Sequence, residues 1–400
     1  MDKIEELLTR GVDKIYPAKE ELEKILQSGK KLKLYQGFDP TGDKLHIGHM
    51  VGLMKLAQWQ RAGHHVIFLI GDFTGMVGDP SGKTSARKML TRDEVLENAK
   101  SYKEQASRIL DFNGDNPVEV RFNSEWLGKI SGLEFLRVAG LLSVQQVIER
   151  DLFQDRQKRG QDVYMNEFLY PVMQAYDSVV MEVDLEIGGS DQMFNMLMGR
   201  KLMRHMLHKD KFVMTTPLLT DSEGNKIGKT EGNEVAIMDK PEELYRKIMA
   251  FPDNVIVKAF EYLTHLPMDE IQRIDTSLQK GENPMLYKKK LSFEIVKLLN
   301  DENAAGNAQQ RFEQVVQHHE LPAEIEDVTL DTDEDESFIN EDLLVDLNLA
   351  SSKSEAKRLF EQGGVEVDGK RISDPQSDIP VQNGMVIKIG KRRIVRLKTL

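Results

Sequence analysis

The sequence predicts a doubly wound α/β domain, then an all-helical segment, then a small basic α+β module. Three observations carry this. Residues 32–70 read as strand, helix, strand; residues 239–317 hold short amphipathic stretches punctuated by prolines; and the last fifty residues reverse the sign of the charge.

Residues 32–38 (LKLYQGF) read as a strand, and Asp39-Pro40-Thr41-Gly42 as the turn that ends it. A helical pattern follows from about 48 to 62, with Leu53, Leu56 and Ala57 among its apolar positions and Gly63 as a suitable C-terminal stop. Residues 65–70 are a continuous apolar run of the kind that fills a parallel strand buried on both faces. Such a βαβ unit is right-handed. Helices and short apolar runs continue to about Thr216, so the site is expected beyond the carboxyl ends of the strands.

From Asp239 the character changes. Pro241, Pro252, Pro267 and Pro284 separate stretches such as PEELYRKIMAF and NPMLYKKKLSFEIVKLL, which predict helices. Residues 324–336 are acidic and poor in apolar side chains, the composition of a linker. Residues 351–400 carry 11 Lys/Arg against 6 Asp/Glu, a net of +5, which leaves −17 for the rest of a chain whose total is −12. Six of the basic residues fall in the last 13 positions. The expected divisions are 1–231, 232–322, a linker at 323–337, and 338–400.

Composition excludes several chemistries. With no cysteine among 400 residues there is no disulfide framework, no Cys-ligated metal and no thiol nucleophile. The N-terminus is rich in Lys and Glu and lacks the apolar stretch of a signal peptide. Apolar runs such as 66–70 are too short to span a bilayer, so a cytoplasmic protein without membrane contact is expected. The acidic balance argues against general nucleic-acid coating and leaves room for a local basic patch.

Five motifs carry chemistry. His46-Ile47-Gly48-His49 sits where a helix begins, and helix N-termini suit phosphate. Two histidines there can donate to charge developing on a transferring phosphoryl group, and Gly48 lets a nucleotide approach the backbone. Surface histidines or an H-x-x-H metal pair are the alternatives, the second weakened by the lack of a third ligand nearby. Lys226 and Lys229, three apart in the polar loop DSEGNKIGKTEGN, can clamp a leaving pyrophosphate; an exposed basic turn is the plainer meaning. GDPSGKT at 78–84 imitates a P-loop but has three residues between its glycines where a P-loop has four, so it reads as a flexible loop bringing Lys83 and Arg87 toward a nucleotide. Tyr170, Gln174 and Asp177 share one helix face. Three polar groups in an apolar segment need partners, from a ligand or from an internal network. In GGSDQ at 188–192, paired glycines permit close approach and Asp191 can accept ribose hydroxyls, unless the segment is an ordinary tight turn.

Taken in order, YQGFDPT, HIGH, GDPSGK, YPVMQAYD, GGSDQ and KIGKT resemble the class I tyrosyl-tRNA synthetases over essentially the whole chain. HIGH alone is shared by other class I synthetases and related nucleotidyltransferases; YxGFDPT with QAYD and GGSDQ is more specific. The lysine loop departs from the usual KMSKS at Ile227, Gly228 and Thr230 but keeps both lysines. The resemblance implies a Rossmann-like catalytic domain, a helical anticodon-binding domain and a C-terminal domain like ribosomal protein S-four.

It also implies activation of L-tyrosine by ATP, which arrives with Mg²⁺, then transfer to tRNA(Tyr), by a homodimer without a tightly bound cofactor or metal. His46, His49, Lys83, Arg87, Lys226 and Lys229 would serve the phosphates. Asp39, Thr41, Gly48, Gly189 and Asp191 would hold ATP together with Lys229. Tyr35 and Asp177 would read the phenol hydroxyl. Asp79, Tyr170 and Gln174 would hold the amino group and Gln192 the carboxylate side, with Asn123 a further contact. In SSKSEAKRLFEQGGVEVDGKRI, a helix capped by Ser351 or Ser352 would present Lys353, Lys357 and Arg358 to RNA, joined by Lys391, Arg392 and Arg393. The apolar residues 133–147 are the expected dimer contact.

Overall fold

The computed structural model of the chain describes residues 2–81, 89–148, 151–228, 234–314, 326–330, 338–390 and 393–399. It divides into two compact units, Met1–Phe312 and Glu313–Leu400.

The first unit is built on a six-stranded sheet of order β1-β6-β5-β2-β3-β4. The strands are β1 (Lys14–Tyr16), β2 (Lys33–Phe38), β3 (His65–Ile70), β4 (Glu119–Phe122), β5 (Leu185–Gly189) and β6 (Phe212–Thr216). Only the edge strand β1 runs antiparallel to its neighbour; the other pairs are parallel. β3 buries every residue after His65, as its unbroken apolar run predicts. β5 begins at Leu185, just after Asp184, whose carboxylate accepts the Lys33 backbone N–H at 2.9 Å.

Three helices frame the carboxyl end of the sheet: α1 (Ile47–Arg61), α2 (Met165–Met181) and α3 (Met193–Leu207). α1 is buried on nearly every face because the sheet covers one side and helix α4 (Ile256–Leu263) another. One hydrophobic core therefore runs from Leu34 and Trp59 through Phe260 to Leu299. The segments expected as catalytic and helical domains form one compact unit for this reason. Lys55 of α1 reinforces it by donating to the Leu7 carbonyl and, at 2.9 Å, to that of Arg10, while Arg10 donates to the carbonyls of Glu261 (3.0 Å) and Thr264 (2.6 Å).

Chain leaves β2 for β3 on one side, while β5 lies on the other. The crevice beyond the ends of β2 and β5 is thus the switch point where open parallel sheets hold ligands.

The second unit has its own core around Phe360, Ile387 and Leu397. Its main sheet has the order β10-β9-β12-β13-β7, from β7 (Glu326–Leu330), β9 (Val365–Val367), β10 (Lys370–Ile372), β12 (Val386–Ile389) and β13 (Arg393–Thr399); β8 (Phe338–Asn340) pairs with β11 (Gln376–Pro380). One expectation changes here. Residues 326–330, expected within an acidic linker, form β7 parallel to β13, with Leu330 buried and Asp327 paired with Lys398 at 2.7 Å. The basic end of the chain is an internal strand, where apolar positions alternate with the charges. Among the described residues no helix is long and apolar enough to cross a membrane.

Candidate active site

A cavity of about 280 Å³ opens at the predicted switch point. β2 supplies Tyr35, and the turn after it Asp39 and Thr41; α1 supplies His46, Gly48 and His49. α2 supplies Tyr170, Gln174 and Asp177, which share a face as their i, i+4, i+7 spacing requires. The end of β5 and the turn after it bring Gly189, Asp191 and Gln192; Asp79, Asn123 and Lys226 complete the predicted set in its wall. Lys83, Arg87 and Lys229 lie outside the described residues.

At the nucleotide side, His46 caps α1 and the two imidazoles stack with ring centroids 3.8 Å apart. Gly48 N–H donates to His46 Nδ1 (3.1 Å) and His46 N–H donates to His49 Nδ1 (3.2 Å). With Nδ1 accepting, each neutral ring carries its proton on Nε2, the atom it can direct at an anion. The chain just after the lysine loop packs on this helix start: Ile47 N–H donates to the Val235 carbonyl at 2.9 Å. Gly228, a departure from the common motif, has φ +74°, and a Cβ there would lie 2.3 Å from Ile47 Cγ2. Only glycine fits both demands. Lys226 reaches across to Asp191 at 2.9 Å. A Cβ on Gly189 would come 2.6 Å from Asp191 Oδ1, so the second glycine of the pair makes room for that carboxylate.

The floor is a polar network inside apolar packing. Asp177 accepts from Trp126 Nε1 at 2.8 Å and from Asn123 Nδ2 at 3.3 Å. Burial pushes its carboxyl well above the usual carboxylate range, against the pull of those two donors. Tyr35 Oη lies 2.9 Å from Ser178 Oγ, and its phenol is likewise raised, first by burial and then by Glu186 and Asp177. Tyr170 donates to Asp39 Oδ2 at 2.8 Å, and Gln192 to Asp79 Oδ2 at 2.6 Å.

Two of the expected ligand contacts in the cavity wall also brace their neighbours. Asn123 accepts the Phe73 N–H at 2.9 Å and donates to Thr74 and Asp177, so its amide buttresses Asp177. Asp39, expected on the nucleotide, holds Tyr170 and Thr74.

Sequence reading passed over Gln36 and Glu186, which line the cavity, and Trp126, Ser178 and Lys211 behind it. Glu186 in the otherwise apolar strand LEIGG was the one available signal, since a buried acid needs a reason. Gln174 donates to Glu186 Oε1 at 3.0 Å, yet Gln174 Oε1 is a buried acceptor with no protein partner, and so is Gln36 Oε1. Orphaned buried acceptors in a cavity wall suit a ligand that donates.

The predicted RNA contacts lie in the second unit. Ser352, not Ser351, is the N-cap of α5 (Lys353–Glu361), accepting the Glu355 N–H at 3.2 Å. Lys357 and Arg358 are exposed, Lys353 pairs with Asp342, and Arg393 donates to the Asn348 carbonyl at 2.9 Å. Lys391 and Arg392 lie outside the described residues.

Comparison with known proteins agrees with this geometry. Residues 27–317 match the class I tRNA synthetases (W and Y), and residues 341–382 match the S4 domain. The chain is 41 % identical to the tyrosine–tRNA ligase of Moorella thermoacetica over 98 % of its own length and 95 % of that protein's. It is 41 % identical to that of Thermotoga maritima, covering 98 % and 96 %. Among solved structures, the C-terminally truncated mitochondrial tyrosyl-tRNA synthetase of Aspergillus nidulans superposes with a TM-score of 0.68 at 25 % identity, over 78 % of this chain and 94 % of that one.

Proposed function

Because the chain belongs to the class I tRNA synthetases (W and Y), and within them to the tyrosine–tRNA ligases, we propose that this cavity joins tyrosine to ATP and then passes the tyrosyl group to tRNA(Tyr). The tyrosine carboxylate attacks the α-phosphorus of ATP and pyrophosphate leaves. A ribose hydroxyl of the terminal tRNA adenosine then attacks the adenylate carbonyl, and AMP leaves. No covalent enzyme intermediate is required, so catalysis is positioning and charge stabilisation.

The observation that carries this reading is Asp177: a buried carboxylate held by Trp126 and Asn123 at the end of a cavity whose other wall is the histidine helix. Tyrosine fits with its phenol hydroxyl between Tyr35 and Asp177. Its ammonium meets the unpartnered Gln174 Oε1, with Tyr170 and Asp79 beside it. Gln192 serves the carboxylate side. The Nε2–H groups of His46 and His49 face the phosphates, Lys226 leaves Asp191 for the departing pyrophosphate, and Asp191 takes the ribose. Gly48, Gly189 and Thr41 let the nucleotide lie against the backbone. The resemblance assigns Lys83, Arg87 and Lys229 to the phosphates as well, and Mg²⁺ enters with ATP. The S4-like unit supplies RNA contacts through Lys357 and Arg358, the resemblance adds Lys353, Lys391, Arg392 and Arg393, and residues 232–322 serve the anticodon.

A second copy completes the particle. Leu133 (63 % exposed), Leu136 (68 %) and Val144 (66 %) present an apolar surface that a homodimer would cover. A cytoplasmic location accords with this reading.

Amino-acid-dependent ATP–pyrophosphate exchange, run with each of the twenty amino acids alone, tests the proposal. Exchange with tyrosine, and almost none with phenylalanine or tryptophan, is expected. Exchange with tryptophan would move the chain to the sister specificity, and no exchange from folded protein would leave only RNA binding.

A further inference from the structure

Four residues close a ring of hydrogen bonds at one wall of the cavity. Asp79 accepts from two sides: the Ser81 backbone N–H donates to Oδ1 at 2.9 Å, and Gln192 Nε2 donates to Oδ2 at 2.6 Å. Asn195, in the first turn of α3, completes the ring. Its Nδ2 donates to Gln192 Oε1 at 3.0 Å and reaches Ser81 Oγ at 3.4 Å. Asp79, Ser81 and Gln192 line the cavity, and Asn195 is fully buried beside them.

Each orientation in this ring follows from the one before it. A carboxylate only accepts, so Gln192 turns its nitrogen to Asp79 and its oxygen the other way. That oxygen needs a donor, so Asn195 turns Nδ2 toward it. The remaining atom, Asn195 Oδ1, is then buried with no hydrogen-bond partner among the described residues. An unpaired buried acceptor is costly, and an apolar side chain would avoid the cost. Packing alone therefore gives no reason for an asparagine here. The reason lies in what the Gln192 amide has to do. One N–H of its Nε2 is on Asp79, and the other has no partner among the described residues while the side chain lines the cavity.

We propose that Asn195 is a positioning residue that locks the Gln192 amide, so that one N–H stays on Asp79 and the other meets the substrate carboxylate. The proposal rests on the reading of Asp79 and Gln192 as holders of the amino and carboxylate groups of tyrosine. Asp79 alone would not keep the amide in place. When the substrate ammonium pairs with Asp79, the carboxylate's hold on Gln192 is shared. The ammonium is also a donor to which the Gln192 oxygen could turn. Turned so, the amide would no longer aim its free N–H at the substrate carboxylate. Asn195 prevents this by occupying that oxygen. It does so from a rigid element, a helix of 15 residues packed along α2.

The test uses the full-length protein in pyrophosphate exchange with tyrosine, competed by two part-substrates. Tyramine keeps the phenol and the amine but has no carboxylate; desaminotyrosine keeps the carboxylate but has no amine. Asn195→Ala is expected to raise the tyrosine KM and the desaminotyrosine inhibition constant about 10-fold, with the tyramine constant changed by less than about 2-fold. Asn195→Leu, which fills the place without an unpaired oxygen, should do the same. Equal weakening of all three ligands would mean a merely structural role and overturn the proposal. Unchanged desaminotyrosine inhibition in either variant, or failure of both to fold, would overturn it too. Gln192→Met tells the two readings apart. If it leaves desaminotyrosine inhibition unchanged, the reading of Gln192 itself fails; if it weakens that inhibition while the Asn195 variants do not, only the positioning role fails.

Discussion

Trp126 Nε1 donates to Asp177 Oδ1 at 2.8 Å, so an indole from a short helical turn after β4 fixes a carboxylate that lines the cavity. Replacing Trp126 with Phe keeps an aromatic ring under Arg121, which lies 5.3 Å above it, but removes the donor. A lost hydrogen bond to a charged group corresponds to about 1.5–3 kcal/mol. Trp126→Phe is expected to raise the tyrosine KM by about 10-fold or more, with the KM for ATP unchanged.

Asp177→Asn should separate activity from stability. Burial raises the Asp177 carboxyl in the folded chain, so the folded state binds its proton more tightly than the unfolded state does. The ionised side chain therefore lowers stability increasingly as pH rises above the ordinary carboxylate range near ~4. Asparagine removes that penalty. The variant should melt no lower than the unaltered protein at pH 7, with a difference in its favour that grows from pH 4 upward, while tyrosine activation falls by roughly 100-fold. Loss of melting temperature in step with activity would count against it.

Lys226 pairs with Asp191 at 2.9 Å. If it turns to the leaving pyrophosphate during the reaction, Lys226→Met should slow exchange on the order of 100-fold and leave tyrosine binding within about 2-fold. A tyrosine KM that rose with no change in kcat would place the lysine elsewhere.

His64 gives a pH dependence. Burial, aided by Lys31, pushes its imidazole down to about 4, and Nδ1 accepts the Leu32 N–H at 3.1 Å. The unfolded chain, with an ordinary value near 6.5, binds the proton more readily. This contribution is complete above pH 6.5 and is lost as pH falls toward 4, amounting to at most about 3 kcal/mol. His64→Asn, which keeps an acceptor without titrating, should show a shallower fall in melting temperature across that window.

Leu136, 68 % exposed, tests the apolar surface. Leu136→Asp should shift sedimentation from dimer to monomer without lowering the monomer's helical content. An unchanged sedimentation coefficient would place the contact elsewhere.

By itself the sequence determined the periodic elements and the residues that carry function in a fixed local pattern. The run at 65–70 had to be a buried strand, Gly63 had to stop α1, and Tyr170, Gln174 and Asp177 had to share a face, because each depends only on neighbours along the chain. Tertiary structure decided what each polar group would meet. Asn123 became a support for Asp177, Asp39 an anchor for Tyr170, and residues 326–330 a strand whose acid finds Lys398 about seventy positions later. Lys211, Ser178 and Trp126 carried no local signal, since a buried hydrogen bond is set by the approach of distant segments in three dimensions, which no spacing along one segment records.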